Sequence, residues 1–144
     1  KLIINKYYPI KEWDGWNDKN CLSAVKNNVF ALQHIPDKFK NKELCELAVD
    51  QNGLTLEFVP KYFITKELCE LAVKYNGFVL QYMPAKFITE ELCELAVDQN
   101  GLALEFVPEG IKTEELCELA VEQNSLALEK CKAFLRFCRN VLRF

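Results

Sequence analysis

Apolar and polar positions along this chain follow a helical period inside a block, and the block itself recurs. In KELCELAVDQN, a wheel of about 100° per residue sets Glu43, Glu46 and Asp50 on one narrow face. Leu44, Cys45, Leu47, Ala48 and Val49 fill more than half of the circumference. A helix this apolar needs cover on two sides, from a partner segment and from neighbouring copies of the block. The copies are there at a period of 24 residues: Cys21, Cys45, Cys69, Cys93 and Cys117 share one phase. Asn28, Asn52, Asn76, Asn100 and Asn124 share a second, and Pro36, Pro60, Pro84 and Pro108 a third. A period in this range marks a stacked repeat array. The expected fold is all-α, a solenoid of five two-helix units.

Each unit carries its own punctuation. Asn41, Thr65, Thr89 and Thr113 sit where a side-chain oxygen can take an orphan N–H at a helix start. Two residues later Glu43, Glu67, Glu91 and Glu115 complement the positive helix end. Asn-Gly at Asn52-Gly53, Asn76-Gly77 and Asn100-Gly101 ends the helix, with the glycine expected in the left-handed conformation. A short apolar segment such as LTLEFV, α or 3-10, stops before Pro60. Phe39, Phe63, Phe87 or Ile111 then turns inward on the return to the next unit.

The repeats span 18–130, and both ends depart from them. Residues 1–17 are out of register and hold Tyr7, Tyr8, Trp13 and Trp16, an N-terminal cap in which the tryptophans plug the open face. The first unit has Asn20 and Ser23 where the second has Leu44 and Leu47, as suits a capping repeat. Residues 131–144 form the C-terminal cap: nothing stops LALEKCKAFLRFCRNVLRF from running on as one long helix. Its stripe is Ala127, Cys131, Phe134, Leu135, Cys138 and Val141, with Lys130, Lys132, Arg136, Arg139 and Arg143 mostly elsewhere. Phe137, Leu142 and Phe144 lie off that stripe, and a basic amphipathic helix can also dock in a groove or on a membrane surface.

ELCELAVDQNGLALEFVP, recurring over about residues 18–130, resembles the short two-helix repeats of unknown function that are abundant in giant DNA viruses. Its length is also similar to leucine-rich repeat variants that alternate an α-helix with a 3-10 turn. The resemblance implies an α-solenoid and a binding role, with no catalytic residues to carry over. If the origin is viral, the implied location is the host cytoplasm.

Composition narrows the function. A net charge of −3 argues against general nucleic-acid or anionic-membrane binding, and no apolar run is long enough to span a bilayer. KLIINKYYPI does not resemble a signal peptide. Five of the seven cysteines fall at one place in successive repeats. Stacked helices lie about 8–10 Å apart, too far for disulfide geometry, so buried thiols in a reducing, intracellular compartment are expected. No CxxC occurs and His34 is the one histidine, so no metal, cofactor or nucleophile–base pair is expected, and no enzyme activity.

Three columns are the candidate sites. Glu43, Glu46, Glu67, Glu70, Glu91, Glu94, Glu115 and Glu118, with Asp50, Asp98 and Glu122, form an acidic stripe interrupted by Lys74. It is either a solvated face or a docking strip for a basic partner segment. The column His34, Phe58, Tyr82, Phe106, Lys130 is read as core; if exposed, Phe58, Tyr82 and Phe106 make a gripping ridge. The ladders Asn52, Asn76, Asn100 and Cys45, Cys69, Cys93 are structural, with each Asn bonded to backbone at a turn. The expected function is a non-enzymatic scaffold that binds a protein partner through an extended surface. Self-assembly, with the basic C-terminal helix of one chain on the acidic stripe of another, is the rival. Single-stranded nucleic-acid binding conflicts with the stripe.

Overall fold

A computed structural model describes residues 15–132 and residue 134. Five α-helices of 10 residues each recur: α1 (Asp18–Asn27), α2 (Lys42–Gln51), α3 (Lys66–Tyr75), α4 (Glu90–Gln99) and α5 (Glu114–Gln123). After each of the first four comes a six-residue 3-10 helix: Val29–His34, Gly53–Phe58, Gly77–Tyr82 and Gly101–Phe106. The short segment, open to either assignment in the sequence, is thus 3-10. A further 3-10 turn follows three of the prolines, at Asp37–Phe39, Lys61–Phe63 and Ala85–Phe87, so most repeats have three helical pieces rather than two. No strand occurs among the described residues. The fold class is an all-α helical-repeat solenoid.

Contacts divide the chain into two compact units, Lys1–Ala72 and Val73–Phe144. In the first, α1 packs on α2 and the 3-10 helix Val29–His34 packs on Gly53–Phe58. In the second, α4 packs on α5, and Gly101–Phe106 packs on both helices and on Gly77–Tyr82. In both units, neighbouring repeats therefore meet side by side, α against α and 3-10 against 3-10.

The helix ends follow the expected chemistry with one correction. Asn41, Thr89 and Thr113 side chains accept the Leu44, Leu92 and Leu116 N–H groups, and Thr65 accepts that of Leu68. At the other end no described glycine has a positive φ. Asn52 itself terminates α2 in an extended conformation (φ −156°, ψ 110°), its N–H donating to the Ala48 carbonyl. Its side chain accepts from Leu54 N–H at 3.0 Å and so starts the 3-10 helix. Asn100 and Asn124 repeat both bonds, and Asn76 repeats the second.

The glycine is needed for space instead. A Cβ on Gly53 would fall on the Ala72 carbonyl oxygen, on Gly77 on that of Ala96, and on Gly101 on that of Ala120. Backbone of one repeat thus lies directly against backbone of the next. The columns Cys45, Ala48, Val49 and Cys93, Ala96, Val97 of these helices are fully buried.

At the N-terminal end Trp16 is only 8 % exposed, in keeping with a plug. Asn17 and Asn20 form a reciprocal capping box there, which accounts for a polar residue in the place of Leu44. Trp13, Tyr7 and Tyr8 lie outside the described residues. Toward the other end, Ser125–Ala127 is still 3-10 and an α-helix begins only at Leu128, so the long helix does not start where the pattern placed it. Most of 131–144, including Arg136, Arg139 and Arg143, is outside the described residues.

Candidate acidic–leucine docking face

The exposed side of each α-helix is built by the same i, i+3, i+7 spacing. Glu43 and Asp50 of α2 are exposed and Glu46 is half-buried; in α4 and α5, Glu91, Glu94, Asp98, Glu115, Glu118 and Glu122 are all exposed. Glu67 is exposed and Glu70 half-buried on α3. Glu67 and Glu115 have carboxyls held below their ordinary value, first by their own backbone N–H and then by the Thr65 or Thr113 hydroxyl. Those two residues complete the helix caps.

The wheel placed Leu47 with the core, and here the structure differs. Leu47, Leu71, Leu95 and Leu119 are half-buried, at the border between the apolar arc and the carboxylates. Neighbouring repeats cover the middle of that arc but not its edge. In the first unit the result is an open groove of about 380 Å³ lined by Glu46, Leu47 and Asp50 of α2 and Glu67, Leu68 and Leu71 of α3. Shifted by 48 positions, the same six residue types recur as Glu94, Leu95, Asp98, Glu115, Leu116 and Leu119 on α4 and α5.

The flanks of the two sets differ. Lys42 and Lys66 stand 3.6 Å from Glu46 and Glu70, one turn along their own helices. At the matching positions of α4 and α5 stand Glu90 and Glu114. α4 and α5 therefore carry eight carboxylates and no lysine or arginine. Residues 73–132 hold five lysines against eleven carboxylates, a net charge of −6.

The aromatic column forms neither a closed core nor an open ridge. Phe58 in the first unit, and Tyr82 and Phe106 in the second, are each half-buried. Phe106 meets Phe78 edge-on, with centroids 5.9 Å apart at 82°. Each ring ends a 3-10 helix whose leucine two positions earlier, Leu56, Leu80 or Leu104, is buried. Lys130 ends the column exposed and paired with Glu105 at 2.7 Å.

The cysteine ladder is buried, and all six described cysteines are thiols rather than disulfides. Burial pushes the Cys45, Cys69 and Cys93 thiols up to about 11, which suppresses thiolate and with it nucleophilic and metal-binding character. No group of three metal-ligating side chains occurs among the described residues, nor is any described helix long and apolar enough to cross a membrane.

The model of a domain of unknown function, DUF4116, fits three times in overlapping tandem, at residues 20–64, 65–112 and 89–136. No curated protein and no solved structure matches the chain.

Proposed function

This chain belongs to the DUF4116 family, and from that premise we propose that it is a non-enzymatic scaffold that binds a protein partner through its repeated helical surface. The observation that carries the reading is the groove in which Leu47 and Leu71 lie open beside Glu46, Asp50 and Glu67. Half-open leucines ringed by carboxylates fit a partner segment that presents apolar side chains between lysines or arginines. The apolar contact supplies affinity and the charges supply orientation and on-rate. Anionic nucleic acid and anionic lipid would meet repulsion on the same face. The buried thiols suit a reducing, intracellular compartment.

The test is affinity capture with the full chain, wild type against Leu47→Ser/Leu71→Ser and Glu46→Lys/Asp50→Lys. A partner retained by wild type and lost by both variants, at unchanged melting temperatures, supports the reading. Identical partners for all three proteins count against it.

A further inference from the structure

We propose that the groove between α2 and α3 is filled by the basic C-terminal segment, residues 135–144, of a second copy of this chain. The inference rests on the acidic–leucine face being a binding surface, and goes on to say what occupies it. The groove offers three leucines and three carboxylates. The segment LRFCRNVLRF offers Arg136, Arg139 and Arg143, no aspartate or glutamate, and Leu135, Phe137, Val141, Leu142 and Phe144. It is the longest stretch of this chain that combines arginines with large apolar residues, and all the arginines of the chain are in it. Arginine suits this role because its planar fork matches a carboxylate in two parallel hydrogen bonds and is weakly hydrated.

The root of the segment is fixed in the second unit. Cys131 is buried, with its Sγ donating to the Cys117 carbonyl at 3.4 Å, and Ala127 is fully buried. The groove belongs to the first unit. Every copy thus owns one donor segment and, in its first unit, an acceptor groove. Reciprocal exchange between two copies satisfies both and closes a two-fold pair, whereas one-way exchange would leave a groove and a segment unused.

The experiment is sedimentation of the full chain at low and high salt, about 0.02 M and about 0.5 M, where charge pairs are respectively strong and screened. The expected result is a species of twice the 16.7 kDa chain mass at low salt that reverts to the monomer at high salt. Arg136→Glu/Arg139→Glu/Arg143→Glu and, separately, Glu46→Lys/Asp50→Lys should each stay monomeric with unchanged helical circular dichroism. Mixing those two variants should restore a low-salt heterodimer, since each supplies what the other has lost. A wild-type monomer at both salts, the result if the segment folds back on its own chain, overturns the proposal. So does a dimer that survives the arginine substitutions, or one abolished by Glu94→Lys/Asp98→Lys but not by Glu46→Lys/Asp50→Lys. A monomer that still captures a foreign basic partner through Leu47 and Leu71 overturns self-docking alone and leaves the scaffold reading standing.

Discussion

Asn100 serves two elements at once. Its N–H closes α4 on the Ala96 carbonyl at 3.0 Å, and its side-chain oxygen accepts Leu102 N–H, also at 3.0 Å, to open the next 3-10 helix. Alanine keeps the first bond and loses the second. Asn100→Ala should therefore cost about 0.5–2 kcal/mol, the range of lost helix caps. The exposed Glu94→Ala should stay within about 0.5 kcal/mol of wild type. Urea unfolding of the two variants checks this. The cysteine column makes a second prediction. A thiol whose folded value is raised from 9.0 to about 11 stays protonated in the folded chain while the unfolded chain ionises. The stability it supports is whole below pH 9 and is lost as pH rises toward 11. The melting temperature should fall over that window, and fall less steeply in Cys45→Ala/Cys69→Ala/Cys93→Ala.

At the scale of the element, repeat spacing is set where backbone meets backbone. Gly101 lies so close to the Ala120 carbonyl that a side chain there must push α5 away. Gly101→Ala should destabilise by about 1–3 kcal/mol, as overpacking does. Gly110 has open space around the same added carbon, so Gly110→Ala should be near neutral. Thermal melts of the pair distinguish a steric role for the repeated glycine from a role in chain reversal, which would not spare Gly110. Ser125, at the glycine position of the last repeat, is exposed and has no described successor to clear, whereas the first repeat holds Val29 there. Caps are legible at this scale as well. Thr65→Ala should raise the Glu67 carboxyl value toward 4.5, because the hydroxyl that helps hold it down is gone. A carbon-detected NMR titration of that carboxyl reads the change.

For the whole molecule, the balance of charge and cover decides behaviour. Residues 73–132 hold eleven carboxylates against five lysines, and ion pairs such as Lys130–Glu105 offset only part of the excess. Like charges on adjacent helices stand about a Debye length apart at physiological salt. Raising salt from about 0.02 M to about 0.2 M should therefore raise the melting temperature modestly. A fall would mean that the ion pairs outweigh the repulsion. Leu126 and Leu128 are 71 % and 44 % exposed, while Leu56, Leu80 and Leu104, at the position of Leu128, are buried. The last repeat thus lacks the described neighbour that covers its predecessors.

The 24-residue period by itself determined the helical class, the capping residues and the buried thiol column, because those depend on local spacing and on identical neighbours. It also showed that Asn is bonded at each turn, since a half-buried amide beside a helix end has few other partners. Three matters were decided only in the tertiary structure. Gly53, Gly77 and Gly101 are required by the carbonyl of the next repeat, which no single repeat contains. Leu47 and its equivalents stay half-open because cover by a neighbouring helix reaches only part of an apolar arc, and a wheel cannot say where cover ends. The aromatic column is half-buried for the same reason, since the cover its 3-10 helices receive from their neighbours stops short of the last ring.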